Sequence, residues 1–457
     1  MADTIVALAT PLGRSGIGVI RLSGHDSLSI VEKLSGGEDL IPRHAHLTQL
    51  VDPDQHEPID QAIVTYFKAP HSFTGDDIVE ISCHGSPVVL RQVIDVCLRL
   101  GARLAGAGEF SLRALANGRM DLTEAEAIRD LIDAQTTASA RQAVRQLQGE
   151  FSHELQPIKD ELLNVIVILE SALEFVEDDL PETQSKNVRD RLTQVGQKIE
   201  QIAATYKAGH LIRDGLRVAI VGRPNVGKSS LFNALLGSDR AIVTDIAGTT
   251  RDQLHEKLTI GEIPISLIDT AGLRETSDTV ESIGVERARR AMRDADVVIV
   301  LLDASETLTD EDLAILKNVA ELNHFVASNK IDKVSGDEVE ELLNEISTTN
   351  SNDVANVTIS AKTGQGLDEL KQAIISPFKA DQHSDSGFLI SDARHHDLLT
   401  RAGSEIEQSI ASLDAKASEE ITLIGLHNAL RYLGQITGET TTEDMLTRIF
   451  STFCIGK

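Results

Sequence analysis

The spacing of apolar residues changes along the chain, and each change marks a different kind of structure. Thr4-Ile5-Val6-Ala7-Leu8-Ala9-Thr10 and Gly18-Val19-Ile20-Arg21-Leu22 read as strands. Asp77-Ile78-Val79-Glu80-Ile81-Ser82-Cys83 alternates polar with apolar, as a half-buried strand does. Pro87 to Leu100 has helical period. Residues 1–118 therefore predict an α/β domain. From 119 to 214 the period is helical throughout. Leu162, Ile166, Leu169, Leu173 and Val176 step by four and three, and Pro181 is expected to stop that helix. The acids Glu174, Glu177, Asp178 and Asp179 read as its solvated end.

Residues 215–378 alternate strands with helices. Leu216 to Val221, Pro264 to Ile268, Asp296 to Asp303 and Phe325 to Ser328 are apolar runs, and Ser230 to Leu236 reads as a helix. Such alternation predicts right-handed βαβ units and a mainly parallel sheet. Ser376-Pro377 and the polar stretch Asp381 to Gly387 read as a linker. Residues 379–457 are helical again and end in Cys454-Ile455-Gly456-Lys457. The simplest architecture inserts the α/β segment 215–378 into a helical domain whose halves flank it in sequence.

Composition adds limits. The 457 residues are 41% apolar but only 3% aromatic, with no tryptophan, so the cores must be aliphatic. A net charge of −28 argues against a basic nucleic-acid groove over the whole surface. Cys83, Cys97 and Cys454 make no disulfide framework, which fits a reducing cytoplasm. No signal peptide is read at the N-terminus, and the longest apolar stretch, around Val165 to Leu169, is too short to span a bilayer.

The candidate chemistry centres on Gly222-Arg223-Pro224-Asn225-Val226-Gly227-Lys228-Ser229, which fits the phosphate-cradling pattern G-x-x-x-x-G-K-[ST] between a strand and a helix. Backbone N–H groups of such a loop face phosphate oxygens, and the helix N-terminus adds its dipole. Asn225, Val226, Gly227, Lys228, Ser229 and Ser230 are candidate nucleotide contacts. Lys228 would reach the β/γ-phosphates and Ser229 would bind Mg²⁺. Asp269-Thr270-Ala271-Gly272 follows a strand and supplies an acid near Mg²⁺. Gly248-Thr249-Thr250 lies where a switch threonine belongs. Asn329-Lys330-Ile331-Asp332 also follows a strand, and its carboxylate suits the N1–H and amine of guanine. Ser360-Ala361-Lys362 would offer a backbone N–H to the guanine carbonyl. A chance match to the loop alone is conceivable, but these elements in this order point to a guanine nucleotide. Leu273 stands where a water-orienting glutamine is usual, so another group must orient water. Asn225 and Thr249 suggest an oxygen cage for a monovalent cation. Gly13-Arg14-Ser15-Gly16-Ile17-Gly18 opens no helix; it reads either as an anion wrap or as a plain hairpin connection. His395-His396 has no metal-site spacing and reads as helix surface.

The chain also resembles the MnmE/TrmE family of GTPases in tRNA wobble-uridine modification. The resemblance rests on Ala9-Thr10-Pro11 with Gly13-Arg14, Ser72-Phe73-Thr74-Gly75, His84-Gly85, Gly108-Glu109-Phe110, Asp269 to Glu275, and Phe453-Cys454-Ile455-Gly456-Lys457. It implies an N-terminal folate-binding and dimerisation domain, a discontinuous helical domain and an inserted Ras-like G domain. It implies K⁺ ligation by Asn225, Thr244, Ile246 and Thr249, and Mg²⁺ ligation by Ser229 and Thr250. It extends the GTP contacts to Asp245, Ala247 and Gly248, and makes Glu281 the catalytic residue that orients water, alongside Lys228. A 5-formyl- or methylene-tetrahydrofolate would contact Arg21, Glu80, Arg119 and Lys457. Position 119 is often lysine in the family, and a guanidinium places its donors differently. The resemblance further implies a homodimer and an FAD-containing partner, MnmG, in a heterotetramer or larger complex that carries most tRNA contacts. Cys454 is a possible functional thiol, or else a packed small residue. A plain GTP switch and a folate enzyme regulated by GTP are the competing classes. The N-terminal segment and the tail argue against the first.

Overall fold

The computed structural model describes residues 3–37, 39–174, 182–239, 255–269, 292–349, 355–379 and 388–456. They divide into two compact units. One comprises Met1–Ile132, Val144–Val195 and Arg401–Lys457; the other comprises Asp133–Ala143 and Gly196–Thr400.

The first unit is built on a six-stranded sheet. Its strands are β1 (Ile5–Leu8), β2 (Ile17–Ser23), β3 (Ala45–Val51), β4 (Pro58–Phe67), β5 (Ile78–His84) and β6 (Arg103–Leu104), in the order β3-β4-β5-β2-β1-β6. All pairings are antiparallel except β1 with β6. The glycine-rich segment after β1 is the connection of the β1–β2 hairpin. Helices α1 (Ser27–Leu34) and α2 (Pro87–Arg99) share one aliphatic core with the sheet, through Ile30, Val31, Val93 and Val96. Helices α3 (Glu109–Ala116), α4 (Leu122–Asp133), α5 (Thr137–Leu147) and α6 (Glu150–Glu174) follow, then α7 (Glu182–Ala204). On α6 the expected seam is buried at Leu162, Ile166 and Leu169; Leu173 is half-buried. Val176 and Pro181 lie outside the described residues.

The second unit holds the other sheet. Its strands are β7 (Leu216–Val221), β8 (His255–Ile260), β9 (Ile263–Asp269), β10 (Val297–Asp303), β11 (His324–Asn329) and β12 (Asn356–Thr358), ordered β12-β11-β10-β7-β9-β8. Every pairing is parallel except β8 with β9. Helices α8 (Tyr206–Asp214), α9 (Lys228–Asp239), α10 (Asp310–Val319), α11 (Gly336–Thr349) and α12 (Leu367–Lys379) cover it. Strand β10 shows why its sequence is uniformly apolar. Val297, Ile299 and Leu301 join one core with α9 and α12, while Val298, Val300 and Leu302 join the other with α10 and α11. Both faces of a parallel strand lie under helices, so neither face is polar.

Three helices complete the described chain: α13 (Ala393–Asp414), α14 (Glu419–Thr437) and α15 (Glu443–Phe450). The chain is thus an N-terminal α/β segment, then helices, then a Ras-like α/β segment with a mainly parallel sheet, then helices. Two expectations need correction. Ser376 and Pro377 are not linker but the end of α12. Pro377 lacks the N–H that would reach Ala373, and the Ser376 hydroxyl donates to that carbonyl instead, at 3.3 Å. His395 is not surface: it is fully buried, and His396 stacks on Tyr206 at 4.3 Å between ring centroids. His395 shares the helical seam of Leu399, Ala402 and Ile406, which are also buried.

Candidate functional site

Strands β7, β9, β10 and β11 run parallel, so their C-terminal ends share one edge of the sheet. The order reverses at β7: β9 lies on one side and β10 on the other. A crevice at such a switch point is where α/β sheets hold ligands. The loop 222–227 leaves β7 there and α9 begins at Lys228.

Local geometry fixes the loop. Asn225 has φ of 66° and Gly227 φ of 104°, both left-handed. A Cβ at Gly227 would sit 2.3 Å from Asn329 Nδ2, so only glycine lets the two segments meet. Asn225, Ser229 and Ser230 are exposed at the mouth, while Val226 is buried. The Lys228 ammonium donates to the carbonyls of Gly222 (2.6 Å) and Arg223 (2.7 Å).

The guanine-reading candidates converge on this loop. Asn329 Nδ2 donates to Val226 O at 2.8 Å, and its Oδ1 accepts from Ala361 N at 2.9 Å. One buried amide therefore joins the phosphate loop to the segment after β12. Lys330 donates to Asn225 O at 2.8 Å. Ser360 Oγ donates to Asp332 Oδ1 at 2.7 Å. That bond leads the effects that hold the exposed Asp332 carboxyl below its ordinary range, with Lys362 and Lys333 adding positive charge. An ionised acceptor beside backbone N–H donors is chemistry that suits guanine.

Asp269 ends β9 as the register partner of Ile220, which places its backbone beside the start of the phosphate loop. Thr244, Asp245, Ile246, Ala247, Gly248, Thr249, Thr250, Thr270, Ala271, Gly272, Leu273 and Glu281 lie outside the described residues.

A second cluster gathers in the first unit. Arg21 and Glu80 are register partners on β2 and β5. Arg21 Nε and Nη2 donate to Glu80 Oε1 at 2.9 and 2.7 Å, and Nη1 donates to Gly456 O at 3.4 Å. Phe73 and Phe110 lie 5.7 and 5.8 Å from the guanidinium carbon. The tail docks beside it: Gly108 N donates to Cys454 O at 3.3 Å, and Ala107 bridges Ile455. A Cβ at Gly456 would lie 2.4 Å from Leu8 O, and its φ of 97° is left-handed. Cys454 is exposed. Arg119 is exposed, and its Cγ would lie 3.3 Å from a Cβ at Gly75. Lys457 lies outside the described residues.

Sequence reasoning missed several participants. Phe73 and Phe110 sit in quoted motifs, yet nothing in the chain ties them to Arg21. Asp303, Glu306 and Asp312 surround Arg223 and Lys330 without belonging to any nucleotide motif. Among the described residues there is no acid, histidine and cysteine cluster fit to hold a metal ion, and no helix long and apolar enough to cross a membrane.

Comparison with known proteins follows the same outline. Residues 4–119 match "GTP-binding protein TrmE N-terminus" and residues 122–454 match "MnmE helical domain". The chain is 45% identical to the tRNA modification GTPase MnmE of Koribacter versatilis, over all of this chain and 99% of that one. It is 44% identical to the protein of the same name from Aquifex aeolicus, over the full length of both. A crystal structure of Aquifex aeolicus Era bound to GDP·AlF4⁻ aligns at 32% identity over 42% of this chain and 66% of that one, with a TM-score of 0.31. This chain, a GTP hydrolase, belongs to the MnmE family of tRNA modification GTPases.

Proposed function

We propose that the chain is a K⁺-dependent GTPase that works with an FAD-containing flavoprotein partner, MnmG, in the cytoplasm. Together they add an aminomethyl or carboxymethylaminomethyl group to C5 of wobble uridine 34 of certain tRNAs, with a tetrahydrofolate one-carbon donor. The observation that carries the nucleotide half is the Asn329 amide, which joins the phosphate loop to the guanine-reading segment at 2.8 and 2.9 Å.

In this reading Lys228 exchanges the carbonyls of Gly222 and Arg223 for β/γ-phosphate oxygens. Ser229, exposed at the mouth, and Thr250 hold Mg²⁺. Asn225, exposed and left-handed, joins Thr244, Ile246 and Thr249 around K⁺, which supplies positive charge where an arginine finger would. Thr244 to Thr250 and Asp269 to Gly272 contact the phosphates and Mg²⁺. Glu281 orients the attacking water. Asn329, Lys330, Asp332, Ser360, Ala361 and Lys362 read the base.

Folate is read from the first unit. Arg21 and Glu80 present a paired cation and carboxylate, with the Phe73 and Phe110 rings beside Arg21 and the docked tail at its Nη1. Such a set suits a flat heterocycle with a carboxylate-bearing tail. Arg119 and Lys457 complete the contacts, and Cys454, whose carbonyl accepts from Gly108 N, is a possible functional thiol. Leu47 and Ile63 pair across β3 and β4 and are 65% and 46% exposed, which suits burial against a second copy in a homodimer. The partner carries most tRNA contacts, in keeping with a net charge of −28.

The deciding experiment compares GTP turnover in K⁺ and Na⁺. Turnover is expected to be much faster in K⁺, and Asn225→Ala is expected to abolish the difference. Equal rates in the two salts would sink the cation reading. Glu281→Ala should keep nucleotide binding and lose hydrolysis. Loss of the gene should remove the modified nucleoside from tRNA hydrolysates.

A further inference from the structure

The phosphate loop is braced by a segment that none of the nucleotide motifs includes. β10 ends at Asp303 and α10 begins at Asp310. Asp303 is only 5% exposed, which is rare for a carboxylate without firm partners. Its Oδ1 accepts from Ser305 N at 3.0 Å and from Ser305 Oγ at 2.7 Å. Its Oδ2 accepts from Lys330 Nζ at 2.5 Å. The same ammonium donates to Asn225 O at 2.8 Å. One lysine head group thus joins the end of β10 to the crest of the phosphate loop.

The backbone makes this junction stiff. Asp303 and Asn329 are register partners, and Ala304 N donates to Asn329 O at 2.8 Å. Lys330 (φ 69°) and Asn225 (φ 66°) both hold the left-handed conformation, which non-glycine residues adopt when fixed partners hold them there. A second tie reaches the loop from the same segment. Arg223 donates to Glu306 Oε2 at 2.6 Å and lies 3.2 Å from Asp312 Oδ2. Asp312 in turn accepts from Thr309 N and Oγ as part of the α10 capping box.

A merely structural ion pair would be redundant here. β10 and β11 are already joined by six register pairs from Val298 to Asn329. The Lys330 ammonium adds what the ladder lacks, a hold on a loop beyond both strand ends. Burial alone would raise the Asp303 carboxyl, but the Lys330 and Ser305 bonds more than offset it and keep the group ionised.

We infer that Asp303 is a positioning residue for the nucleotide site: it aims Lys330 so that one ammonium fixes Asn225, and with it the loop that grips the phosphates. Its consequence for K⁺ rests on the reading of Asn225 as a cation ligand. Its consequence for nucleotide retention does not.

The test uses the full-length protein, a fluorescent GDP analogue and the isosteric variant Asp303→Asn. Release of the analogue should quicken about tenfold, the scale of one weakened charge-assisted hydrogen bond. Unchanged release in a variant with the wild-type circular dichroism overturns the proposal. Lys330→Gln should also quicken release, and the double variant should be no faster than Lys330→Gln alone. Additive effects overturn the proposal, because Asp303 would then act apart from Lys330. If Asp303→Asn does not fold, Ser305→Ala loosens the carboxylate without removing it. Release should then quicken by a smaller factor, and an unchanged rate again overturns the idea. In the hydrolysis arm, Asp303→Asn should raise the K⁺ concentration for half-maximal turnover several-fold. A wild type that shows no K⁺ preference defeats the cation reading alone, and the release arm still decides the brace. A wild type that prefers K⁺ alongside a variant with the same K⁺ requirement overturns the link to Asn225.

Discussion

The base-reading role proposed for Asp332 needs one protonation state, and its surroundings hold it there. The Ser360 hydroxyl leads the effects that keep its pKa below the ordinary carboxylate value, so the group is ionised at neutral pH and accepts hydrogen bonds only. Asp332→Asn is therefore expected to weaken GTP binding by about a hundredfold, because the amide brings a donor against the donors of guanine. XTP, which offers a carbonyl at that place, should recover much of the loss; isothermal titration with both nucleotides checks this. Asn329 and Asp332 were legible in sequence because their spacing and strand-end context form a motif. Asp303 was not legible. An acid after an apolar run has no signal of its own, and its pairing with Lys330 depends on the register of β10 against β11. Arg223 was hidden in the variable part of its loop motif for the same reason.

At the scale of elements, legibility follows burial. β10 was readable because both of its faces lie in aliphatic cores, which forces an unbroken apolar run. Leu301→Ala in that strand should cost about 2–5 kcal/mol, read by urea denaturation. The hairpin of β3 and β4 was not read. Gln49 pairs with Gln61 and Thr48 with Ala62, and the apolar pair Leu47 and Ile63 faces outward, so the alternation carries little contrast. Helix α13 misled in the opposite direction. His395 looks polar in sequence, yet its position four residues before Leu399 puts it in the buried seam.

At the scale of the whole molecule, charge ties distant parts of the first unit together. Arg103 and Arg113 both pair with Asp3 and with Glu109. Burial pushes the Glu109 carboxyl up, but Arg103, the Gly106 N–H and Arg113 outweigh it and bring it down to about 2. A depressed carboxylate stabilises the fold above its unfolded value of 4.5, and the contribution disappears as pH falls toward 2. Glu109→Gln should therefore cost about 2 kcal/mol at pH 7 in chemical denaturation, and the gap from wild type should narrow below about pH 4.5.

The docked tail has a consequence for how the chain is made. Arg21 donates to Gly456 O across 435 residues of sequence. A ribosome therefore synthesises all of Gly196–Thr400, the second unit's main segment, before Arg21 meets its last partner. Domains fold as units during synthesis, so the nucleotide-binding sheet can close while the first unit still lacks its final piece. The cluster around Arg21 would then be among the last features to mature, and protease should cut the first unit of a stalled nascent chain well after the second has become resistant.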